Sequence, residues 1–185
     1  MFQIPPMQPW DAIHPLLVHL PIGALAVVPV LIVMSIAFRS NSKAFAGAAL
    51  AVLAVGTVGL YLAVSSGEAG GELVDRTPQI NAVLEHHEEL GEATRNLFTG
   101  LLALYAVITA AFTLPRKKPG HAAFVITSVV FLALYSAGFL GLANTGHEGA
   151  ELVHKLGVRA MIVSGHDKTY EIDADDDLGL GLDQH

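Results

Sequence analysis

The chain has no cysteine among its 185 residues. That excludes disulfides, thiolate metal ligands, cysteine-held iron–sulfur clusters and covalent haem attachment through a CxxCH motif. Charge is scarce as well: 15% of residues are Asp, Glu, Lys or Arg, against 52% hydrophobic, and the mean hydropathy is +0.53. A soluble domain of this size is more evenly balanced. Residues 12–38, 44–67, 96–115 and 119–147 contain no charged side chain at all. Each stretch reaches the ~20 apolar residues a helix needs to cross a hydrocarbon layer of ~30 Å. No nucleophile motif or phosphate-binding loop occurs. Gly67-x-x-Gly70 and Gly138-x-x-Gly141 follow no strand, so they read as packing elements or turns, not as dinucleotide fingerprints. No basic residue precedes the first apolar span, as a secretory signal would require, so the first helix is expected to stay as an anchor.

The charges that are present are segregated. Two short connectors, Arg39–Lys43 and Arg116–Lys118, hold five basic residues and no acid. All 17 acidic residues lie before residue 12, in the 68–95 loop, or from Glu148 onward. Eight of the nine histidines share that side; only His121 lies near the basic connectors. Short loops rich in Lys and Arg stay cytoplasmic. Both termini and the 68–95 loop are therefore predicted to lie outside. The net charge of −7 is an acidic outer face over a basic inner rim. The expected partner surface is the lipid bilayer, and nothing points to nucleic acid.

Three regions follow. Residues 1–11, with Pro5, Pro6 and Pro9, form an irregular lead-in; residues 12–160 form a four-helix transmembrane domain; residues 161–185 form an acidic tail. Asp11 is expected to cap the first helix, and Pro15 to sit in its first turn. Pro21 and Pro29 lie deeper and should bend it. The second helix is predicted over about 44–66. Pro78 starts the third, which is polar to Arg95 and apolar to Pro115. The fourth runs from about His121 to Ala143 or beyond. An internal echo joins the ends of helices 2 and 4: Gly67-Glu-Ala-Gly-Gly-Glu-Leu-Val-Asp-Arg76 against Gly146-His-Glu-Gly-Ala-Glu-Leu-Val-His-Lys155. The expected fold is an all-α membrane protein, with four transmembrane helices arranged as two repeated hairpins in a bundle.

At ~1.5 Å of rise per residue, His14, His87 and His147 reach similar heights on three helices. His19 lies inside the apolar span, where an ionisable group is costly and a functional candidate by default. His147, Glu151 and His154 share one face if helix 4 continues, although Gly146 and Gly149 could open it or admit a flat cofactor. Such a gathering suits axial ligation of haem, a zinc, copper or iron site with Glu151 or Glu88 adding ligands, or a proton relay. The plainer alternative is interfacial polar residues without a ligand. His86 sits in a polar run that reads as a solvated face, and His121, His166 and His185 look ordinary. The cofactor candidates are His14, His19, His87, His147 and His154, with Glu151 added for a metal. Matching heights favour His14 with His87 as an axial pair. His19 with His147 comes next, with His154 as a ligand or a hydrogen-bond partner to one.

The stretch Ile13-His-Pro-Leu-Leu-Val-His-Leu-Pro-Ile22 resembles the opening His-Pro-x-x-Val-His-Phe-Pro-like motif of a family of bacterial predicted membrane proteins, domain of unknown function 2231. Leu20 stands where Phe is common. Gly146-His-x-Gly-Ala-x-Leu-Val-His154 resembles the family's closing glycine-rich motif, with Gly149-Ala150 in place of Gly-Gly. His87, entering the third helix, is similar to the family pattern too. The resemblance covers roughly 12–160. Some relatives are joined to c-type cytochrome domains, which implies a redox setting and a c-type cytochrome or other redox subunit as partner. With the charge asymmetry, the expected location is the bacterial inner membrane with both termini periplasmic. The expected role is an integral membrane electron-transfer subunit holding haem b or another metal centre near the periplasmic face. A structural or assembly subunit without cofactor, and a metal-dependent membrane enzyme, are the alternatives.

Overall fold

The computed structural model describes residues 9–74, 76–115 and 119–158. The acidic tail, most of the lead-in, the Arg116–Lys118 connector, His166 and His185 lie outside the described residues. The chain is all-helical there: α1 (His14–Leu17), α2 (His19–Ala37), α3 (Ser42–Gly71), α4 (Pro78–Thr113) and α5 (His121–His154), with one 3-10 turn at Arg39–Asn41. Four segments are long and apolar enough to cross a membrane: His14–Ala37, Arg39–Gly71, Pro78–Thr113 and His121–His154. The chain is a multi-pass membrane protein.

Within each span a buried seam recurs every three or four residues: Pro21, Leu25, Val28, Ile32 and Ser35 on α2, Phe98, Leu101, Tyr105 and Ile108 on α4, and Phe124, Ser128, Phe131 and Tyr135 on α5. That spacing aligns side chains on one helix face and closes a bundle. α2 packs most extensively on α3, α4 on α5 and α3 on α4. Aromatic pairs lock the last hairpin, with ring centroids 4.7 Å apart for Tyr105–Phe131 and 5.4 Å for Phe98–Tyr135. The opposite faces are also apolar: Val30, Val58, Val107, Ile126 and Leu140 are all exposed. In water such surface would be a liability; against lipid tails it is the expected coat.

The first span is interrupted only in its hydrogen bonding: Val18, between α1 and α2, keeps helical dihedrals of φ −63° and ψ −25°, and Pro21 has no N–H to give the Leu17 carbonyl, as expected of a proline there. The residue before the first helical turn is Ile13, with no side-chain cap. Asp11 instead places its carbonyl where a Cβ on Gly70 would come within 2.8 Å. Pro29 sits inside α2 without a break. Its missing N–H leaves the Leu25 carbonyl without its helical donor, and Tyr135 Oη donates to that carbonyl at 2.8 Å from α5. α4 starts as predicted at Pro78, where Thr77 Oγ1 accepts from the Ile80 N–H. α5 runs unbroken through Gly146 and Gly149 to His154. It ends beside Gly157, whose φ of 68° favours glycine.

Candidate functional site

His14 opens α1, which packs against α3. Its Nδ1 is 2.8 Å from the Ala63 carbonyl and 3.3 Å from Ser66 Oγ. A carbonyl can only accept, so Nδ1 carries the proton and donates. Buried Ser66 donates its own hydroxyl to the same carbonyl at 3.0 Å. The ring can come this close to the helix because position 67 is glycine: a Cβ there would stand 3.0 Å from Cε1 and 3.1 Å from Nδ1 of His14.

His87, on α4, is seated alike on α5. Its Nδ1 is 3.0 Å from the Thr145 carbonyl, so it too donates. A Cβ on Gly149 would stand 3.0 Å from its Cε1. Thr145 Oγ1 donates to the Gly141 carbonyl at 3.0 Å. It therefore accepts from buried Thr94 Oγ1, 3.1 Å away. In both seats the glycine lies one turn beyond the accepting carbonyl.

The two seats bring the rings together. His14 and His87 stand with centroids 6.5 Å apart and planes at 87°. In the neutral imidazoles both protons are held at Nδ1, so each Nε2 keeps its lone pair for a ligand or metal.

The other predicted residues are placed differently. His19 is exposed, and its Nδ1 turns back to the Pro15 carbonyl at 2.8 Å. The helix does continue, so His147, Glu151 and His154 do share a face of α5. Both histidines are exposed there, while Glu151 pairs with Lys155 at 2.9 Å. His86 is exposed as well. Among the described residues no three His, Cys, Asp or Glu side chains gather closely enough to hold a bare metal ion. At the same end, Glu68, Glu85, Glu88, Glu89 and Glu92 line an open acidic cleft between α3 and α4 of about 430 Å³.

Sequence reasoning missed Ser66, Thr94 and Thr145; it marked Gly149 as a place for close approach and Gly67 as a packing element, without linking either to a histidine ring. The echo pointed near them in another register. It aligns Gly67 with Gly146, whereas by ring contact the counterpart of Gly67 is Gly149, about one turn further on. The usable signal was a glycine one turn after a small residue or hydroxyl, level with a histidine on the neighbouring helix.

No curated protein and no solved structure matches this chain. A family model does, over residues 10–161, a range that takes in both ring seats and all four spans. The chain therefore belongs to the family described as predicted membrane protein (DUF2231).

Proposed function

We propose that the chain binds one b-type haem between His14 and His87 and carries electrons at the outer face of the bacterial inner membrane, with both termini periplasmic. The observation that carries this reading is the ring separation of 6.5 Å. A metal–nitrogen bond of ~2.0 Å plus about 1.1 Å from nitrogen to ring centre puts two imidazoles on opposite sides of one ion roughly 6–6.5 Å apart. Two protein ligands suffice for haem, because the macrocycle fills the other positions around iron. Zinc without a macrocycle takes three or four protein ligands, and the described residues gather no such set.

The chain's own residues have defined tasks in this reading. The Ala63 and Thr145 carbonyls hold each Nδ1 proton, fix each ring's orientation and raise the basicity of Nε2. Gly67 and Gly149 let the rings lie close to the helix backbone. Bound haem would supply a one-electron couple, tuned by its axial ligands and burial. The acidic cleft offers an attractive field for a basic redox partner, such as a c-type cytochrome.

The test is an absorption spectrum of the purified protein. A Soret band with sharp reduced α and β bands is expected, turning high-spin and five-coordinate in His87→Ala and in His14→Ala. An unchanged low-spin spectrum in either variant would show the pairing to be wrong. Near-perpendicular ring planes also call for a strongly anisotropic low-spin EPR signal. The competing reading is an assembly subunit whose histidines only tie helices together. Both Nδ1 bonds are complete without a cofactor, and that reading expects a colourless, metal-free protein. Colourless protein carrying zinc or copper would support the metal-site alternative. Reporters fused after Ser40 should read cytoplasmic; a periplasmic signal there would invert the topology.

A further inference from the structure

The half of the bundle nearer the basic connectors holds a polar feature far from the histidine pair. Among the described residues six serines and threonines are buried: Ser35, Thr57, Ser66, Thr94, Thr109 and Ser128. Ser35, Thr57 and Ser66 donate to carbonyls of their own helices at 2.6, 2.8 and 3.0 Å, and Thr94 pairs with Thr145. Thr109 Oγ1 and Ser128 Oγ have no partner, and neither does the hydroxyl of Tyr105. Ser128 is 0% exposed and Tyr105 1%. A buried hydroxyl left unmatched is costly and rare in a folded protein, and the hydrocarbon around these spans offers no partner either.

The three hydroxyls belong to one region of the core. Ring pairs set the register of α4 against α5: Tyr105 meets Phe131 at 4.7 Å, and Phe112 meets Phe124 at 5.2 Å. Thr109 falls between Tyr105 and Phe112, and Ser128 between Phe131 and Phe124, so the two share a level on the buried seams of adjacent helices. The other two helices reach that level with Ile32 and Ala49. Leu25 lies against Gly56 and Pro21 against Gly59, which sets α2 against α3, and the bond from Tyr135 Oη to the Leu25 carbonyl sets α5 against α2. The neighbouring level is filled by Val28, Leu53, Tyr105 and Phe131, whereas here two of the four positions are Ala49 and Ser128. Small side chains leave room at the level where the hydroxyls gather.

We propose that the bundle binds a water molecule at this level, held by Tyr105 Oη, Thr109 Oγ1 and Ser128 Oγ. The hydroxyls do not satisfy one another. A bond from Tyr105 to Thr109, one turn away on the same helix, would use one proton and leave those of Thr109 and Ser128 without an acceptor. Water accepts two bonds and donates two, and a buried water typically makes about three, to polar groups that are otherwise unmatched. Three neutral hydroxyls with no carboxylate among them suit a neutral ligand, since a buried ion needs opposite charge. Such a water ties α4 to α5 inside the core, much as the Tyr135 hydroxyl ties α5 to α2. The site is separate from the histidine pair and does not depend on haem.

The experiment is hydroxyl-radical footprinting of the full chain in lipid bilayers, with water itself as the probe. An X-ray pulse makes radicals from water, and mass spectrometry reads which side chains are oxidised. A side chain closed to bulk solvent is oxidised only where a bound water supplies the radical. Phe131 is 1% exposed and Phe98 0%, and both pack on Tyr135, but only Phe131 stacks on Tyr105. Oxidation is expected at Phe131 and Tyr105 and not at Phe98. Thr109→Val with Ser128→Ala removes two of the three partners, and oxidation of Phe131 should fall to the level of Phe98. Phe131 as unreactive as Phe98 in the wild type would overturn the proposal and mean that the hydroxyls turn back onto carbonyls of their own helices. Undiminished oxidation of Phe131 in the double variant overturns it as well. A bundle loosened by the substitutions would show as new oxidation at Phe98, and the wild-type comparison then decides alone.

Discussion

The two hairpins present their histidines to each other by different routes. In the first, His14 sits on the opening turn of its span, joined to α2 through Val18, where Pro21 leaves the Leu17 carbonyl without its helical donor. In the second, His87 sits inside α4, an unbroken helix of 36 residues. The carbonyl contacts are alike, at 2.8 and 3.0 Å, but the support behind them is not. Ser66 shares its acceptor with His14. Thr145 lies in a chain of hydroxyls that reaches across to α4 through Thr94. One ring is thus held at the start of a span whose first turns lack one backbone hydrogen bond, and the other within an uninterrupted helix. For the haem clamp proposed above, that makes the His14 side the more yielding of the two.

Replacing the glycines under the rings should break this comparison most visibly. Gly149→Ala drives a methyl to about 3.0 Å from His87 Cε1, and α4 runs uninterrupted past that ring. Retained haem should fall at least tenfold, within the range for supports of metal-bound histidines. Gly67→Ala makes the same intrusion on His14, but the turn carrying His14 lacks the backbone bond that Pro21 cannot give, so its effect should be smaller. Gly23→Ala and Gly100→Ala, where a Cβ meets nothing within 4 Å, should leave haem content unchanged. Equal losses at positions 67 and 149 would show that the missing bond confers no compliance.

The link between the hairpins can be tested separately. Tyr135→Phe leaves the Leu25 carbonyl without a donor inside the core and should cost about 1–3 kcal/mol of stability in thermal denaturation. Pro29→Ala restores the backbone N–H that Leu25 lacks. In the double variant the Tyr135→Phe loss should therefore largely disappear. An additive double variant would mean the hydroxyl acts by packing alone.

His19 separates depth from placement. Its position within an apolar span marks it as functional, yet it faces outward and bonds to its own preceding turn. His19→Ala should keep the cofactor spectrum that His14→Ala loses. Loss in both variants would bring His19 into the site.

Legibility in the sequence followed physical origin. Four spans were visible because a soluble fold of this size has too small an interior to bury four uncharged runs of such length. The helix start at Pro78 was visible because Thr-Pro is a local signal. The buried seam was not: spans coated by lipid are apolar on every face, so Val30 and Leu25 look alike until one is exposed and the other buried. The second span ran past its predicted end near residue 66, with α3 reaching Gly71, and the fourth took the longer of the courses left open, with α5 reaching His154, because glycine in a packed bundle costs less than its intrinsic propensity suggests. Matching height paired His14 with His87. The carbonyls that seat them carry no residue signature, since every residue has one.

The smallest expected effect concerns the hydroxyls behind the two seats. Thr94→Val removes the donor to Thr145 Oγ1 while preserving shape. Thr145 Oγ1 still donates to the Gly141 carbonyl, so no donor is stranded, and the cost should be about 1 kcal/mol or less. Ser66→Ala removes a hydroxyl whose acceptor, the Ala63 carbonyl, keeps the His14 proton. That bond no longer shares its acceptor and should tighten. The two changes therefore act in opposite senses on the rings: Thr94→Val loosens the His87 seat, and Ser66→Ala firms the His14 seat. A firmer Nδ1–H bond gives Nε2 more electron density and would lower the potential of a haem iron held there as proposed. A redox titration should show a small negative shift for Ser66→Ala and none or a positive one for Thr94→Val. Shifts of the same sign would mean that the hydroxyls act through general polarity and not through the ring bonds.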